Sequence, residues 1–415
     1  MWFRAEGDFL QSGSLSHVSV SFTDWMRARP ELYSILLSCS RDPVGALGYA
    51  ATDGRPHALA ALRNGTVLSS QTVLKIDYCS ASHFGGIRPV YWHNMREEPV
   101  VYINGKPFVV RHIERPYKNM LEYKRIDRET VEGMEASLKE DILTEAKRYK
   151  GAIMVIHEAE DGQILYSCER VDAGSIRTPL EVYKRLEADG FPIKYARVPI
   201  TDGKALKSSD FDTLTSNIAS AASDTAFVFN CQMGNGRTTT GTVIACLVKL
   251  RINSGRPIKV LHGTTYIAYP IVDDERRTYS SEQRAEEVRE LDDRVFGIDD
   301  FLLLWKITRL FDNGVESREA LDAVIDRCSD IQNIREAVLQ YRKVFNRQNY
   351  EPRVRSAAFN RGTEYLERYF RLIAFAAYLG KETLDGSFKK WLHHQKPEVL
   401  QAMKKWRSAL FFYRT

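Results

Sequence analysis

Phe229-Asn230-Cys231-Gln232-Met233-Gly234-Asn235-Gly236-Arg237-Thr238-Thr239-Thr240-Gly241 decides how this chain folds. It joins an apolar run, Thr225 to Phe229, to a helix-forming run, Val243 to Leu250. A loop between a strand and a helix N-terminus can turn its backbone N–H groups onto a dianion, and the helix dipole favours the same charge. Gly234 and Gly236 are expected to supply positive φ angles and close approach. The same groups stabilise a thiolate, so Cys231 is expected to have a depressed pKa and to act as a nucleophile near neutrality. Arg237 is expected to grip two phosphoryl oxygens, with Gln232, Met233, Gly234, Asn235 and Gly236 lining the rest of the binding loop. Thr238 is placed to donate a hydroxyl hydrogen bond to the sulfur. A cysteine with arginine six positions on is weak by itself. With glycine at 234 and 236 and threonine after the arginine, only Cys231 of the six cysteines qualifies. A buried structural cysteine before a helix is the plainer alternative. A Walker-type nucleotide loop is disfavoured, because no G-K-(S/T) follows the glycines.

Displacement at phosphorus needs a proton for the leaving alkoxide. Asp202, in Val198-Pro199-Ile200-Thr201-Asp202-Gly203-Lys204, is the candidate acid, on a loop just beyond a strand. An ordinary Asp-Gly turn is the bland alternative. Asp210 and Asp212 are fallback acids, although both suit caps of the helix that follows. Lys204 and Lys207 on the acid loop are candidate substrate-binding cations, as is Arg96 upstream.

Further out, strands and helices alternate. Val100 to Ile103, Asn104-Gly105 and Lys106 to Val110 read as a hairpin. Val131, Met134, Leu138, Ile142 and Ala146 mark one face of a helix over Asp127 to Tyr149. Ile153 to Ile156 suits a buried strand, and Tyr195 to Ile200 is another. Thr178-Pro179 starts a helix ending near Gly190. A further helix covers about Asp210 to Ala222. The pattern predicts an α/β fold with a central, mostly parallel sheet flanked by helices. Past Arg251 the texture changes. Asp273 to Arg294 is dense in charge of both signs. Helices are predicted over Phe301–Phe311, Arg318–Cys328, Ile331–Phe345 and Thr363–Leu379, with Gly380 at a helix end.

Composition bounds the function. The 415 residues are 44% apolar and 27% charged, which excludes wholesale disorder. A net charge of +5 over this length does not imply nucleic acid. The run Leu372 to Leu379 is far short of the roughly 20 residues that span a bilayer, which leaves peripheral membrane contact open. No signal peptide is evident at Met1 to Asp8. The cysteines form no C-x-x-C pair, so neither zinc nor a disulfide framework is suggested; no cofactor is expected, and a reduced cytosolic setting is the default. The oligomeric state is left open. Phe22-Thr23-Asp24-Trp25 to Leu32 and Phe388 to Val399 share an F-x-x-W…P-E pattern, coincidental or a repeated end-piece. The expected division is 1–58 as the tail of a preceding unit, 59–295 as the α/β domain, and 296–415 as a helical annex.

With its T-D-G-K acid loop and Asn94-Met95-Arg96-Glu97-Glu98-Pro99-Val100-Val101-Tyr102-Ile103-Asn104-Gly105, the chain resembles the paladin family, most closely its plant form. More distantly it is similar to the cysteine-dependent phytases of bacteria. The likeness runs from about Asn64 to Lys396, and Phe22 to Ala50 resembles the end of a paladin unit. It implies a cysteine-phosphatase (protein-tyrosine-phosphatase-like) fold, no metal, and a phosphoinositide, inositol phosphate or phosphoprotein substrate. Departures from the pattern are Asn230 where histidine usually precedes the nucleophile, Gly203 where phytases tend to carry histidine, and an uncharged loop. Cys79 to Arg88 is short, as if a strand–helix unit were missing, which would expose sheet edges. Arg96, Glu97 and Glu98 fit either a pocket rim or a charged strand end, and His93 and His157 fit core or edge positions. Two functions follow: a phosphatase working through a phosphocysteine, or a pseudophosphatase or scaffold that binds phosphorylated ligands without useful turnover.

Overall fold

The structure is a computed structural model. It describes residues 34–38, 47–50, 56–59, 89–112, 125–158, 164–223, 225–232, 234–254, 304–328 and 332–412. The first copy of the repeat, the short segment 79–88, the charged segment 273–294 and Met233 lie outside the described residues. The described residues form two compact units. One draws on 1–49, 58–202 and 222–238, the other on 50–57, 203–221 and 239–415.

The first unit holds two sheets. In the parallel one, β4 (Val90–Arg96) lies between β10 (Ile193–Ile200) and β11 (Ala226–Asn230), with Val90 level with Ile193 and Ala226. Every residue of β4 is buried, as expected of a central parallel strand. The short strands β2 (Leu47–Ala50) and β3 (Pro56–Leu59) follow β11 in the sheet order.

The second sheet, in the order β8-β7-β1-β6-β5-β9, is mainly antiparallel. Its hairpin, β5 (Val100–Ile103) and β6 (Lys106–His112), turns on Asn104 and Gly105 at φ 50° and 76°. Two successive positive φ values are what an Asn-Gly hairpin turn requires. β1 (Ser34–Ser38) is antiparallel to β6 and parallel to β7 (Ala152–Glu158). Strands from residues 34–50, assigned from sequence to the tail of a preceding unit, thus take places in both sheets. The remaining strands are β8 (Ile164–Arg170), at one edge, and the two-residue β9 (Ile176–Arg177) at the other. β8 escaped the sequence reading because it leaves Leu165, Tyr166 and Cys168 exposed, which erases the alternation that burial imposes.

Helix α1 (Arg128–Arg148) starts where the Asp127 carboxylate accepts a 2.8 Å hydrogen bond from Thr130 N. Leu138, Ile142 and Ala146 pack with Val101, Ile103, Phe108, Val110 and Val155 in one core, each large side chain contributing roughly 1.5–3 kcal/mol. Helix α2 (Pro179–Ala188) opens on a capping box in which Thr178 and Glu181 satisfy each other's backbone N–H. Its Tyr183 stacks on Tyr195 at 4.3 Å and meets Trp92 at 5.4 Å, closing α2 onto the parallel sheet.

The second unit is helical: α3 (Ser208–Ala219), most of α4 (Gly236–Ser254), α5 (Gly314–Arg327), α6 (Ile334–Asn346), α7 (Pro352–Leu379) and α8 (Pro397–Phe412). α7 begins at Pro352, well ahead of the predicted Thr363, because proline in the first turn suits a helix start. Of the helix predicted at 301–311, residues 304–308 are helical. Gly380 caps α7 with φ −74°, so its use is room rather than a left-handed turn. A side chain there would strike the Asn313 amide, which donates to Ala377 O at 3.2 Å. Phe388 and Trp391 of the F-x-x-W motif join Phe211, Phe375 and Tyr378 in an aromatic cluster. No helix among the described residues is long and apolar enough to cross a membrane.

Candidate active site

β11 delivers its last residue, Asn230, and then Cys231 to the start of the loop, and α4 begins at Gly236. Gly234 has φ 73°, a value that glycine adopts without strain. Gly236 departs from expectation: it is the first helical residue, with no left-handed turn. The Cys231 sulfur is buried, and the Thr238 hydroxyl donates to it at 3.1 Å from the first turn of α4. Arg237, next along, is 3% exposed.

A buried guanidinium needs a counter-charge. Glu98 supplies it. Arg237 Nη1 donates to both Glu98 carboxylate oxygens, at 3.0 and 3.2 Å, and to the Ile200 carbonyl at 3.1 Å. Its Nη2 lies 3.4 Å from Asp202 Oδ1, whose side chain is 40% exposed. Burial works to raise the Glu98 pKa, but Arg237 and Arg96 overcome it and hold the carboxyl down to about 2. Burial likewise opposes the charge on Arg237, yet Glu98, Cys231 and Asp202 keep its pKa above the ordinary arginine value. Both partners are therefore ionised throughout the neutral range.

Glu97 faces a different task from its neighbour. Its Oε1 accepts from the Thr201 hydroxyl at 2.9 Å and from Ile126 N at 3.2 Å, which ties down the residue just before Asp202. Burial raises the Glu97 pKa, against these hydrogen bonds. Arg96, Glu97 and Glu98 are all buried, which rules out a solvated strand end. Arg96 Nε lies 3.6 Å from Glu98.

Cys231, Thr238, Arg237, Asp202 and Glu98 thus stand together. Of the other loop residues, Gln232 is half-buried, Gly234 buried and Asn235 exposed. Asn230 accepts a 2.7 Å hydrogen bond from Trp92 Nε1. His93 stacks on Phe229 at 5.0 Å, and burial pushes its pKa down to about 3, which marks an uncharged core histidine. His157 is half-buried against Ser167. Lys204 and Lys207 belong to the second unit. Lys204 Nζ donates to Glu364 at 2.5 Å and its carbonyl accepts from Arg368 at 3.0 Å. Gly203 has φ 69°, and a side chain there would have to displace the Arg361 guanidinium, so a histidine in its place would be strained. Asp210 accepts from Lys207 N at 2.7 Å as a first-turn cap of α3, and burial raises its pKa to about 6. Asp212 corrects the sequence expectation. It caps the turn at Phe388 instead of its own helix, accepting from Ser387 Oγ at 2.7 Å and Phe388 N at 2.6 Å. Among the described residues no group of three or more histidine, cysteine or acidic side chains could hold a metal.

Glu98 was the residue that sequence reasoning missed as Arg237's partner. The signal available was weak: a buried arginine demands a carboxylate, but R-E-E offers two, and only packing chooses.

A family model described as PTP-like phytase, inositol hexakisphosphate, matches residues 93–249. Paladin from Gallus gallus is 26% identical over 412 residues, covering 90% of this chain and 43% of that protein. Paladin from Homo sapiens is 26% identical over 411 residues, covering 90% and 42%. The chain therefore spans less than half the length of these curated relatives. Among solved structures, it is similar to a tandemly repeated protein tyrosine phosphatase-like phytase from Mitsuokella multacida. That match has 13% identity and a TM-score of 0.44, and covers 86% of this chain and 49% of that one. A PTP-like phytase from Bdellovibrio bacteriovorus matches at 13% identity and TM-score 0.42, covering 87% and 95%. The likeness to paladins expected from the motifs holds over most of the chain. The fold is cysteine-phosphatase-like, with a parallel sheet, flanking helices and a helical C-terminal region.

Proposed function

We propose that this chain is a cysteine-dependent phosphatase that hydrolyses phosphate monoesters through a phosphocysteine. The observation that carries the proposal is the convergence of a buried sulfur with its hydroxyl donor, a pinned guanidinium and an exposed carboxyl. Cys231 as thiolate attacks phosphorus, and the phosphorus–oxygen bond to the leaving group breaks. Asp202 gives its proton to the departing oxygen. Arg237, held by Glu98, balances charge on the transferred group in the transition state. In the second step Asp202 takes a proton from water, water oxygen bonds to phosphorus, and the sulfur leaves as a thiolate stabilised by Thr238. Each step balances without a metal or cofactor.

The substrate class we propose is an inositol phosphate, a phosphoinositide or a phosphoprotein. The description of the matching family model supports placing inositol phosphates first. The test is hydrolysis of an aryl phosphate by purified protein in the presence of a chelator. Orthovanadate should inhibit it and Cys231→Ser should abolish it. Full turnover by Cys231→Ser would sink the mechanism.

A second proposal, a phosphate-binding scaffold, draws on Asn230. The side chain before the nucleophile is an uncharged amide engaged with Trp92, and it brings no positive charge to the sulfur. Tight binding of a phosphorylated ligand with no single-turnover hydrolysis would favour that role, and a trapped phosphocysteine would exclude it.

A further inference from the structure

Where β4 gives way to β5, the chain leaves one sheet for the other. β4 pairs with β10 and β11, whereas β5 pairs with β6 and β9. Residues 97–99 lie on the crossing, outside both ladders, and Glu98, the carboxylate on Arg237, is one of them. Backbone polar groups on such a crossing must be satisfied by something other than a neighbouring strand.

A buried ion pair does this. Arg197 on β10 and Glu135 on α1 meet at 2.9 Å with both side chains 0% exposed. Arg197 Nε donates to the Arg96 carbonyl at 2.6 Å, and Nη2 donates to the Glu98 carbonyl at 2.9 Å. Glu135 Oε1 accepts from Val100 N at 3.0 Å. One guanidinium and one carboxylate thereby hold alternate backbone groups on both sides of Glu98. Asn94 Oδ1 adds a bond from Arg96 N at 3.0 Å, and Asn94 Nδ2 donates to Tyr195 OH at 3.2 Å.

Two charges placed in a core gain little stability, because desolvation roughly cancels their attraction. Glu135 also interrupts the apolar stripe of α1, between Val131 and Leu138. What the pair supplies is direction: a planar fork and a carboxylate lock three backbone groups in one geometry.

We propose that Arg197 and Glu135 are positioning residues for phosphate recognition: they fix the backbone at Glu98, and through Glu98 the guanidinium of Arg237, without touching the phosphoryl group. The proposal rests on Arg237 being the phosphate-binding group. The test is therefore built so that the two ideas fail separately.

Orthovanadate binding to the whole chain is measured by calorimetry, with aryl phosphate hydrolysis alongside. Vanadate binding to the native chain that is lost in Arg237→Ala is the required baseline. Binding indifferent to Arg237 overturns the functional proposal, and this one with it. On that baseline, Arg197→Lys keeps the charge opposite Glu135 but loses the fork. It should weaken vanadate binding about tenfold and lower kcat more than it raises KM, in protein that is folded at the assay temperature. Arg197→Met with Glu135→Leu removes the charges together with the three backbone hydrogen bonds; in protein shown to be folded by circular dichroism it should lose at least as much binding. In a Glu98→Ala background, Arg197→Lys should add less than about twofold, since no side chain remains at 98 to carry its effect to Arg237. Unchanged vanadate affinity in the folded variants, or a fully additive loss on top of Glu98→Ala, overturns the positioning role and leaves the phosphatase proposal standing.

Discussion

Replacing Glu98 with glutamine isolates the charge that holds Arg237, because the side chain keeps its size and one acceptor oxygen. In the fold the Glu98 carboxyl titrates at about 2 against an ordinary 4.5, so its ionised form contributes about 3 kcal/mol at neutral pH. Structure gives a similar figure. Removing one partner of a buried, hydrogen-bonded pair costs about 3–5 kcal/mol, and the retained amide oxygen returns about 1. Glu98→Gln should therefore lose about 2–4 kcal/mol at pH 7. The sign with pH follows from the depressed value. The contribution is fully present above the ordinary carboxyl pKa and is lost as pH falls toward 2, with about 1 kcal/mol left at pH 3. Urea unfolding followed by circular dichroism should show a gap between wild type and variant that narrows by about 2 kcal/mol between pH 7 and pH 3. A gap of the same size at both pH values would mean that Arg237 does not depend on the Glu98 charge.

Asp202→Asn should lower kcat about 10²–10³-fold for an alkyl phosphate and little for nitrophenyl phosphate, whose leaving group needs no proton; equal losses on both would remove the acid role. Thr238→Val removes the 3.1 Å hydrogen bond to sulfur, worth about tenfold to a hundredfold on a charged acceptor. A burst of product followed by slow turnover should result, and rapid-mixing kinetics without a burst would count against it. Asp212→Ala strips the acceptor from Ser387 and Phe388 and should cost about 2–3 kcal/mol in urea unfolding.

Some of this was legible early because its causes are local. The Asn104-Gly105 turn, the Thr178 cap and the apolar stripe of α1 each depend on residues within a few positions of one another. β8 was not legible, since an edge strand exposing Leu165 and Tyr166 carries no burial pattern. Gly380 and Asp212 were read as local features and are tertiary ones: the first makes room for Asn313, the second caps a turn 176 positions away.

By itself, the sequence determined the cysteine–glycine–arginine loop between a strand and a helix, the acid candidate at the end of a strand, and the likeness to paladins. These lie in short contiguous runs, where spacing and residue type set the chemistry. Only the tertiary structure decided what holds the arginine. Glu98 reaches Arg237 across 139 positions, and Arg197 reaches Glu135 across 62. An ion pair carries no spacing rule, because a charge takes whichever opposite charge the packed sheets and helices leave beside it once water is gone.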